Sequence, residues 1–351
     1  MFIIGIGTAN PSQRYTQADC WRVIQDCPAY QTLNSRSKAI LKKVLNGENG
    51  ISTRHFALDN LEEAFAINPD TLHQRFIIHA PALAVAAAER ALAQCKIHPR
   101  EIDAVLISTC TGYLCPGLTS YAIERLGLRP DVLALDLVGQ GCGAAIPNLE
   151  AARNVLAAGH CKHALSICVE VCSAAFYLDD DAGVLISACL FGDGAAAAVL
   201  SPEANGGRRV KWTGSATMMK PKDREALRFE QKHGMLRNIL TPEVPSVAAR
   251  HVGALFDDTL SRTGIAQDQI KGWILHPGGR DVLLALRERF QLSGDDVRWS
   301  QAVLRDYGNM SSPCVLFALQ AALSDGASGG IWWMSSFGAG FSCHGALLEV
   351  E

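Results

Sequence analysis

The strongest constraint on this chain is that it repeats itself. Two stretches superpose at a constant offset of 168 residues: LAQCKIHPREIDAVLIS, from Leu92 to Ser108, and LSRTGIAQDQIKGWILH, from Leu260 to His276. The offset carries Leu92 onto Leu260, Ile97 onto Ile265 and Ile102 onto Ile270, then Val105, Leu106 and Ile107 onto Trp273, Ile274 and Leu275. Each copy reads as the end of an amphipathic helix, a short polar link and a buried strand. The same offset lays Gly141–Leu156 over Asn309–Ser324, and HALSICVEV from His163 over IWWMSSFGA from Ile331. Four elements in register imply a duplicated α/β unit, with strands apolar enough to be covered on both faces. The Gly-, Pro- and polar-rich stretch at residues 201–209 marks a seam, giving an N-terminal half over 1–205 and a C-terminal half over 206–351. Equivalent strand ends then converge on one crevice, where α/β proteins bind their ligands.

Composition narrows the function. Apolar residues make up 48% of the 351 and charged residues 19%, as in a globular protein with a deep core. A net charge of −3 with no block of like charge gives no electrostatic reason to expect nucleic acid or an anionic membrane as partner. No window reaches ~18 uninterrupted apolar residues, so no membrane span is expected, and the N-terminus reads as a first strand rather than a signal peptide. A cytoplasmic enzyme acting on a small molecule is the resulting expectation. The twelve cysteines are scattered without a C-x-x-C pair, and the ten histidines do not fall near them with zinc-site spacing, so neither metal nor disulfides are expected.

Three positions carry chemistry. Cys142, in VGQGCGAAIPNLEAARNVLAAG, follows a strand and opens a helix, where unpaired N–H groups and the positive dipole end favour a thiolate. Gly141 and Gly143 permit a tight turn and close approach of a substrate. His276 closes a strand in GWILHPGGR, and Asn309 stands at a turn before a helix in DYGNMSSP. Taken singly, each has an ordinary alternative: a buried cysteine, a hydrogen-bonded structural histidine, a helix-capping asparagine. Taken together they change meaning, because the duplication sets the Cys142 and Asn309 turns opposite each other, with the His276 strand end beside them. A cysteine nucleophile needs a base, and acyl chemistry needs donors for an oxyanion; His276 and Asn309 can supply both.

VGQGCGAA, ILHPGGR, YGNMSS and SSFGAGF, with LFGDGAAAAVL from Leu190 and CTGYLCPGLTSYAIERLGLRP from Cys110, resemble the type III polyketide synthases, the chalcone-synthase-like branch of the thiolase fold. The resemblance runs in order from about Gly50 to the C-terminus. It implies a thiolase-like α/β fold with a layered αβαβα core. It further implies that Cys142 holds the growing acyl chain, and that His276 keeps the thiolate as an ion pair. With Asn309, His276 would bind the thioester carbonyl of malonyl-CoA during decarboxylation. Iterative Claisen condensation followed by cyclisation would ensue, with malonyl-CoA and an acyl thioester as substrates and no cofactor. Phe191 matches an aromatic gatekeeper between CoA tunnel and cavity, while its second aromatic partner is missing near Asn238. Cys115 matches a loop that crosses a homodimer interface. Ser311, Phe337 and Gly338 join the substrate-binding set, and Lys42, Lys43, Arg54, Gly278 and Gly279 are the candidates for CoA.

Cys172 and Ala175 fall where plant members carry threonines, and Phe176 and Phe341 are expected to border a channel beside them. Smaller, less polar walls point to a medium- or long-chain acyl starter, delivered on CoA or a carrier protein, and to alkylresorcinol or alkylpyrone products. Three alternatives stand beside this. A ketoacyl synthase III performs one condensation with the same three residues. A thiolase would need a second cysteine, for which Cys343 is the only candidate. A non-catalytic acyl-binding subunit would lack the activated thiolate, so that Cys142 would label no faster with iodoacetamide than its companions.

Overall fold

The computed structural model describes residues 1–351. Nine strands form one mixed sheet in the order Ile270–Leu275, Gly330–Gly338, Ser342–Val350, Val210–Met219, Phe2–Ala9, Gly194–Ser201, Ala164–Glu170, Ala104–Ser108, Leu133–Leu137. The two halves of this sheet join only where Phe2 and Ile3 pair with Lys211 and Val210. Strand alternation sends neighbouring side chains to opposite layers. Trp332 enters the core between the half-sheets while Trp333 enters the outer core of the C-terminal half, and both are fully buried. The inner layer consists of the helices Ala145–Ala157 and Cys314–Ser324. Outer layers are Pro69–Cys95 with Leu118–Leu126 on one side, and Val244–Thr263 with Arg280–Phe290 on the other. This is the five-layer αβαβα arrangement.

The repeat is visible element by element. Helices end at Cys95 and Thr263, short 3₁₀ turns follow at Pro99–Glu101 and Gln267–Gln269, and the inner helices and the strands after them correspond at the same offset. It breaks at one place. The edge strand Leu133–Leu137 has its counterpart position inside the helix Arg298–Tyr307, so one half-sheet has five strands and the other four. The extra strand leaves Leu133 and Leu135 exposed, next to exposed Val138 and Tyr113.

Small residues let the outer helix lie directly on the sheet. A Cβ at Gly7 would stand 2.2 Å from the Ala87 carbonyl oxygen, and one at Gly5 2.5 Å from that of Ala91. Pro69–Cys95 begins with an Asn68 cap and Pro69 in its first turn, and buries Leu83, Ala84, Ala87, Ala88 and Ala91. It is also the one helix long and apolar enough to cross a membrane. Here it is a core helix, half of its most apolar window being covered by the rest of the protein. Before it, Gln17–Asp26 and Ser35–Asn46 pack on the helix Ala182–Leu190. The hairpin Leu227–Lys232 and Met235–Leu240 stands apart from the main sheet and walls the interior cavity.

Candidate active site

Each half of the sheet supports the reactive turn of the other. Cys142 lies in the 3₁₀ turn Gly141–Gly143 that leads into the helix Ala145–Ala157. Residues 337–340 of the C-terminal half press backbone to backbone on this turn. A Cβ at Gly338 would come within 2.4 Å of the Gln140 carbonyl oxygen and 2.5 Å of the Gly143 nitrogen. The Ser336 hydroxyl donates to the Gly143 carbonyl at 2.9 Å. At the equivalent strand end of the N-terminal half, fully buried Glu170 accepts from Ser312 Oγ at 2.7 Å, from Thr111 Oγ1 at 2.9 Å and from the Cys110 amide at 3.0 Å. Glu170 thereby holds the turn after Asn309. Gly338 therefore acts through packing, as the position where no side chain fits.

Asn309 follows Gly308, whose φ of +70° suits glycine. Its backbone is tied to the neighbouring segment: Asn309 N–H donates to the Leu190 carbonyl at 2.9 Å, and Gly192 N–H to the Asn309 carbonyl at 3.0 Å. Its side-chain amide donates to the Gly278 carbonyl at 3.1 Å, and its Oδ1 accepts from Ser311 N–H at 2.8 Å. Ser311, at φ +61°, sets its hydroxyl 3.3 Å from Cys142 Sγ and 3.3 Å from Glu170 Oε1. The structure thus brings Cys142, Asn309 and Ser311 together. His276 is 1% exposed and meets Phe337 edge to face at 5.2 Å. Neither of its ring nitrogens has a hydrogen-bond partner in the protein.

Burial opposes charge at both reactive groups. It pushes the Cys142 thiol up to about 12 and the His276 imidazole down to about 3. Burial thus works against the thiolate that the helix terminus favours: the Ser311 hydrogen bond lowers the thiol pKa, but desolvation outweighs it. An ionised cysteine here would need an opposite charge beside it; pairing with a protonated His276, which the family resemblance implies, would offset both desolvations. In His276→Ala, iodoacetamide labelling of Cys142 is expected to slow by ~10²-fold at neutral pH and to keep rising beyond about pH 9, whereas wild-type labelling levels off earlier. Identical pH profiles, measured by mass spectrometry of the alkylated peptide, would exclude the pairing.

Three cavities reach neighbours of these residues. The innermost, about 20 Å³, is walled by Thr111, Cys172, Ala175, Phe176, Phe191 and Phe229, among others. Phe191 and Cys172 form a small apolar cluster with Cys142. A second cavity, about 540 Å³, shares Thr111 and Phe229 with the first and reaches Cys110, Gly139 and Gly141 at the cysteine turn. The third, about 560 Å³, opens between Ser35–Asn46 and the start of Arg280–Phe290. It runs past Lys43, Arg280, Gly279 and Gly278 to Leu190 and Leu240.

Several sequence expectations change. Arg54 does not face the third cavity. It is 3% exposed and donates to carbonyls inside the protein, so it is not a CoA contact. Lys42 is exposed on the same helix as Lys43 but does not line the cavity, because one residue of helix turns it away. Phe341 borders no channel: it stacks on Phe337 within the outer core of the C-terminal half. Cys343 points into that same outer core, away from the inner layer that carries Cys142, and does not provide a second catalytic cysteine. Cys115 is exposed and lines none of the three cavities. Residues not anticipated are Arg280 at the mouth, Glu170 behind the turns and Phe229 opposite Asn238. Phe229 is paired in register with Asn238, and only the hairpin pairing places an aromatic at the gap left in the sequence there.

Residues 8–230 match the family described as FAE1/type III polyketide synthase-like protein, and residues 215–348 match the chalcone and stilbene synthases, C-terminal domain. The 3,5-dihydroxyphenylacetyl-CoA synthase of Streptomyces toyocaensis is 31% identical over 286 residues, 79% of this chain and 73% of that protein. The alpha-pyrone synthesis polyketide synthase-like Pks18 of Mycobacterium tuberculosis is 27% identical over 363 residues, 99% of this chain and 91% of the relative. Among solved structures, PKS-I from the brown alga Ectocarpus siliculosus superposes with a TM-score of 0.90 at 27% identity, covering 99% of this chain and 97% of the other.

Proposed function

Because this chain belongs to the FAE1/type III polyketide synthase-like family, we propose that it loads an acyl thioester onto Cys142, extends it repeatedly with malonyl-CoA and cyclises the product. The observation that carries this reading is the meeting of Cys142, Asn309 and Ser311 beneath two turns, with Asn309 bonded to Gly278, which lines a cavity that begins at Lys43 and Arg280. Lys43, Gly278 and Gly279 line that cavity and suit the CoA moiety. At the inner end, the Asn309 amide releases the Gly278 carbonyl to take the malonyl thioester carbonyl, and His276, with no partner of its own, joins it. Loss of CO₂ places negative charge on that oxygen, where fixed donors lower the barrier. The resulting enolate carbon attacks the acyl carbon on Cys142, and the sulfur leaves to receive the next acyl group. The reaction calls for no cofactor beyond its two thioester substrates.

For the starter we favour a medium- or long-chain fatty acyl group, carried on CoA or a carrier protein and giving an alkylpyrone or alkylresorcinol. Cys172 and Ala175 on the cavity wall support it, as does the larger space beyond Phe229. A second reading, extension from malonyl units alone to a small aromatic acid derivative, is favoured by the small innermost cavity and by the relative named for 3,5-dihydroxyphenylacetyl-CoA. Purified enzyme given labelled malonyl-CoA and starters from acetyl to palmitoyl separates them. Products carrying an intact long chain support the first; products from malonyl-CoA alone support the second. A single extension in every case would return the ketoacyl-synthase alternative. Phe229→Ala, which joins the two cavities, is expected to raise use of the longest starters relative to acetyl by ~10-fold; an unchanged ratio would place the chain elsewhere. A cytoplasmic homodimer completes the proposal, supported by the exposed edge strand Leu133–Leu137 beside the Cys115 loop.

A further inference from the structure

Arg54 is a buried cation with no carboxylate in salt-bridge range. Its guanidinium lies over the Phe56 ring, 4.9 Å from the centroid. Nη1 donates to the carbonyls of Ala188 at 2.7 Å and Phe191 at 3.0 Å, and Nε donates to Gln17 Oε1 at 3.1 Å. Gln17, itself 7% exposed, passes the contact on: its Nε2 donates to the Cys189 carbonyl at 3.0 Å. These three carbonyls end the helix Ala182–Leu190, where intrahelical donors run out and the dipole is negative. The remaining one, Leu190, accepts from Asn309 N–H. Every carbonyl from Ala188 to Phe191 is therefore held, three by the Arg54–Gln17 pair and one by Asn309. The arginine stem also fills the space beside Gly308, where a Cβ would meet Arg54 Cγ at 2.9 Å.

A buried guanidinium without an anionic partner is costly. That cost is offset only where several oriented acceptors converge, and they converge here on the segment bearing Phe191. We infer that Arg54 and Gln17 are positioning residues: they fix Phe191 against Cys142 and Cys172. The clamp sets how freely the growing chain passes the Phe191 ring, and with it the length at which products leave. This rests on the synthase reading above.

The test is the ratio of longer to shorter products, per mole of folded enzyme, for wild type, Arg54→Lys and Gln17→Met, each with and without Phe191→Ala. Lysine keeps the charge but cannot reproduce the fork that reaches two carbonyls and Gln17 together. Arg54→Lys is expected to shift the ratio toward shorter, early-released products by about ten-fold, the scale of a lost charge-assisted hydrogen bond. Gln17→Met should shift it less, in the same direction. In the Phe191→Ala background neither should move it beyond about two-fold, because a residue acting through Phe191 has nothing left to position. A fall in total product at constant ratio, or an equal shift in both backgrounds, would overturn the inference. Should Arg54→Lys be recovered unfolded, Gln17→Met, which leaves the charge in place, decides by the same comparison. Wild type that makes no product from any starter would fail the synthase reading itself, a distinct result.

Discussion

Cys142→Ala is expected to abolish chain extension, by roughly a million-fold, the scale of loss when a covalent nucleophile is removed from a working set. The reasoning is geometric. Cys142 is the cysteine that the Gly141–Gly143 turn places against Phe191 and within reach of the Ser311 hydroxyl. Its sulfur neighbours are placed differently: Cys110 Sγ turns to Glu170 Oε1 at 3.3 Å and Cys172 lies on the wall of the innermost cavity, and neither stands in a glycine-flanked turn. The exchange removes one buried sulfur, so the fold survives. Intact-protein mass spectrometry after incubation with an acyl-CoA should show an acyl adduct on wild type and none on the variant. Persistence of the adduct would move the nucleophile to another cysteine.

The second large effect is at Asn309. Asn309→Asp keeps the oxygen that accepts from Ser311 N–H but loses the amide that now meets the Gly278 carbonyl. Decarboxylation of malonyl-CoA should fall by ~10²–10³-fold, as when one oxyanion donor is removed. Loading of Cys142 by the starter should change far less, because that step does not pass through the enolate. Asn309→Leu loses both contacts and leaves the Ser311 amide buried and unpaired, costing about 1–3 kcal/mol of stability besides. A drop in melting temperature for leucine but not aspartate, with decarboxylation lost in both, separates chemistry from folding. Release of labelled CO₂ at the wild-type rate by Asn309→Asp would remove it from the reaction.

What could be read from the chain alone follows from periodicity. A 168-residue offset with matched apolar positions dictates two copies of one α/β unit, because identical patterns bury identical faces. Small residues flanking Cys142 announce a tight turn; where a substrate's close approach is expected, the backbone at Gly338 presses on it. The meeting of Cys142 with the Asn309 turn followed from the duplication itself. The pattern also missed one departure: the fifth strand of the N-terminal half has a helix as its counterpart, which gives that edge alone its exposed Leu133 and Leu135.

Tertiary structure decided the rest, and the reason is distance along the chain. Lys42, Lys43 and Arg54 are equally cationic in sequence. One faces solvent, one lines the entrance, and one is buried on carbonyls 134 and 137 residues away. Phe229 becomes a cavity wall only when its hairpin folds over the interior, and Phe341 becomes core only when the turn between Gly330–Gly338 and Ser342–Val350 stacks it on Phe337. Local spacing determines which face of an element is apolar. Which charge is desolvated, and which aromatic meets the site, depends on partners brought together by packing alone.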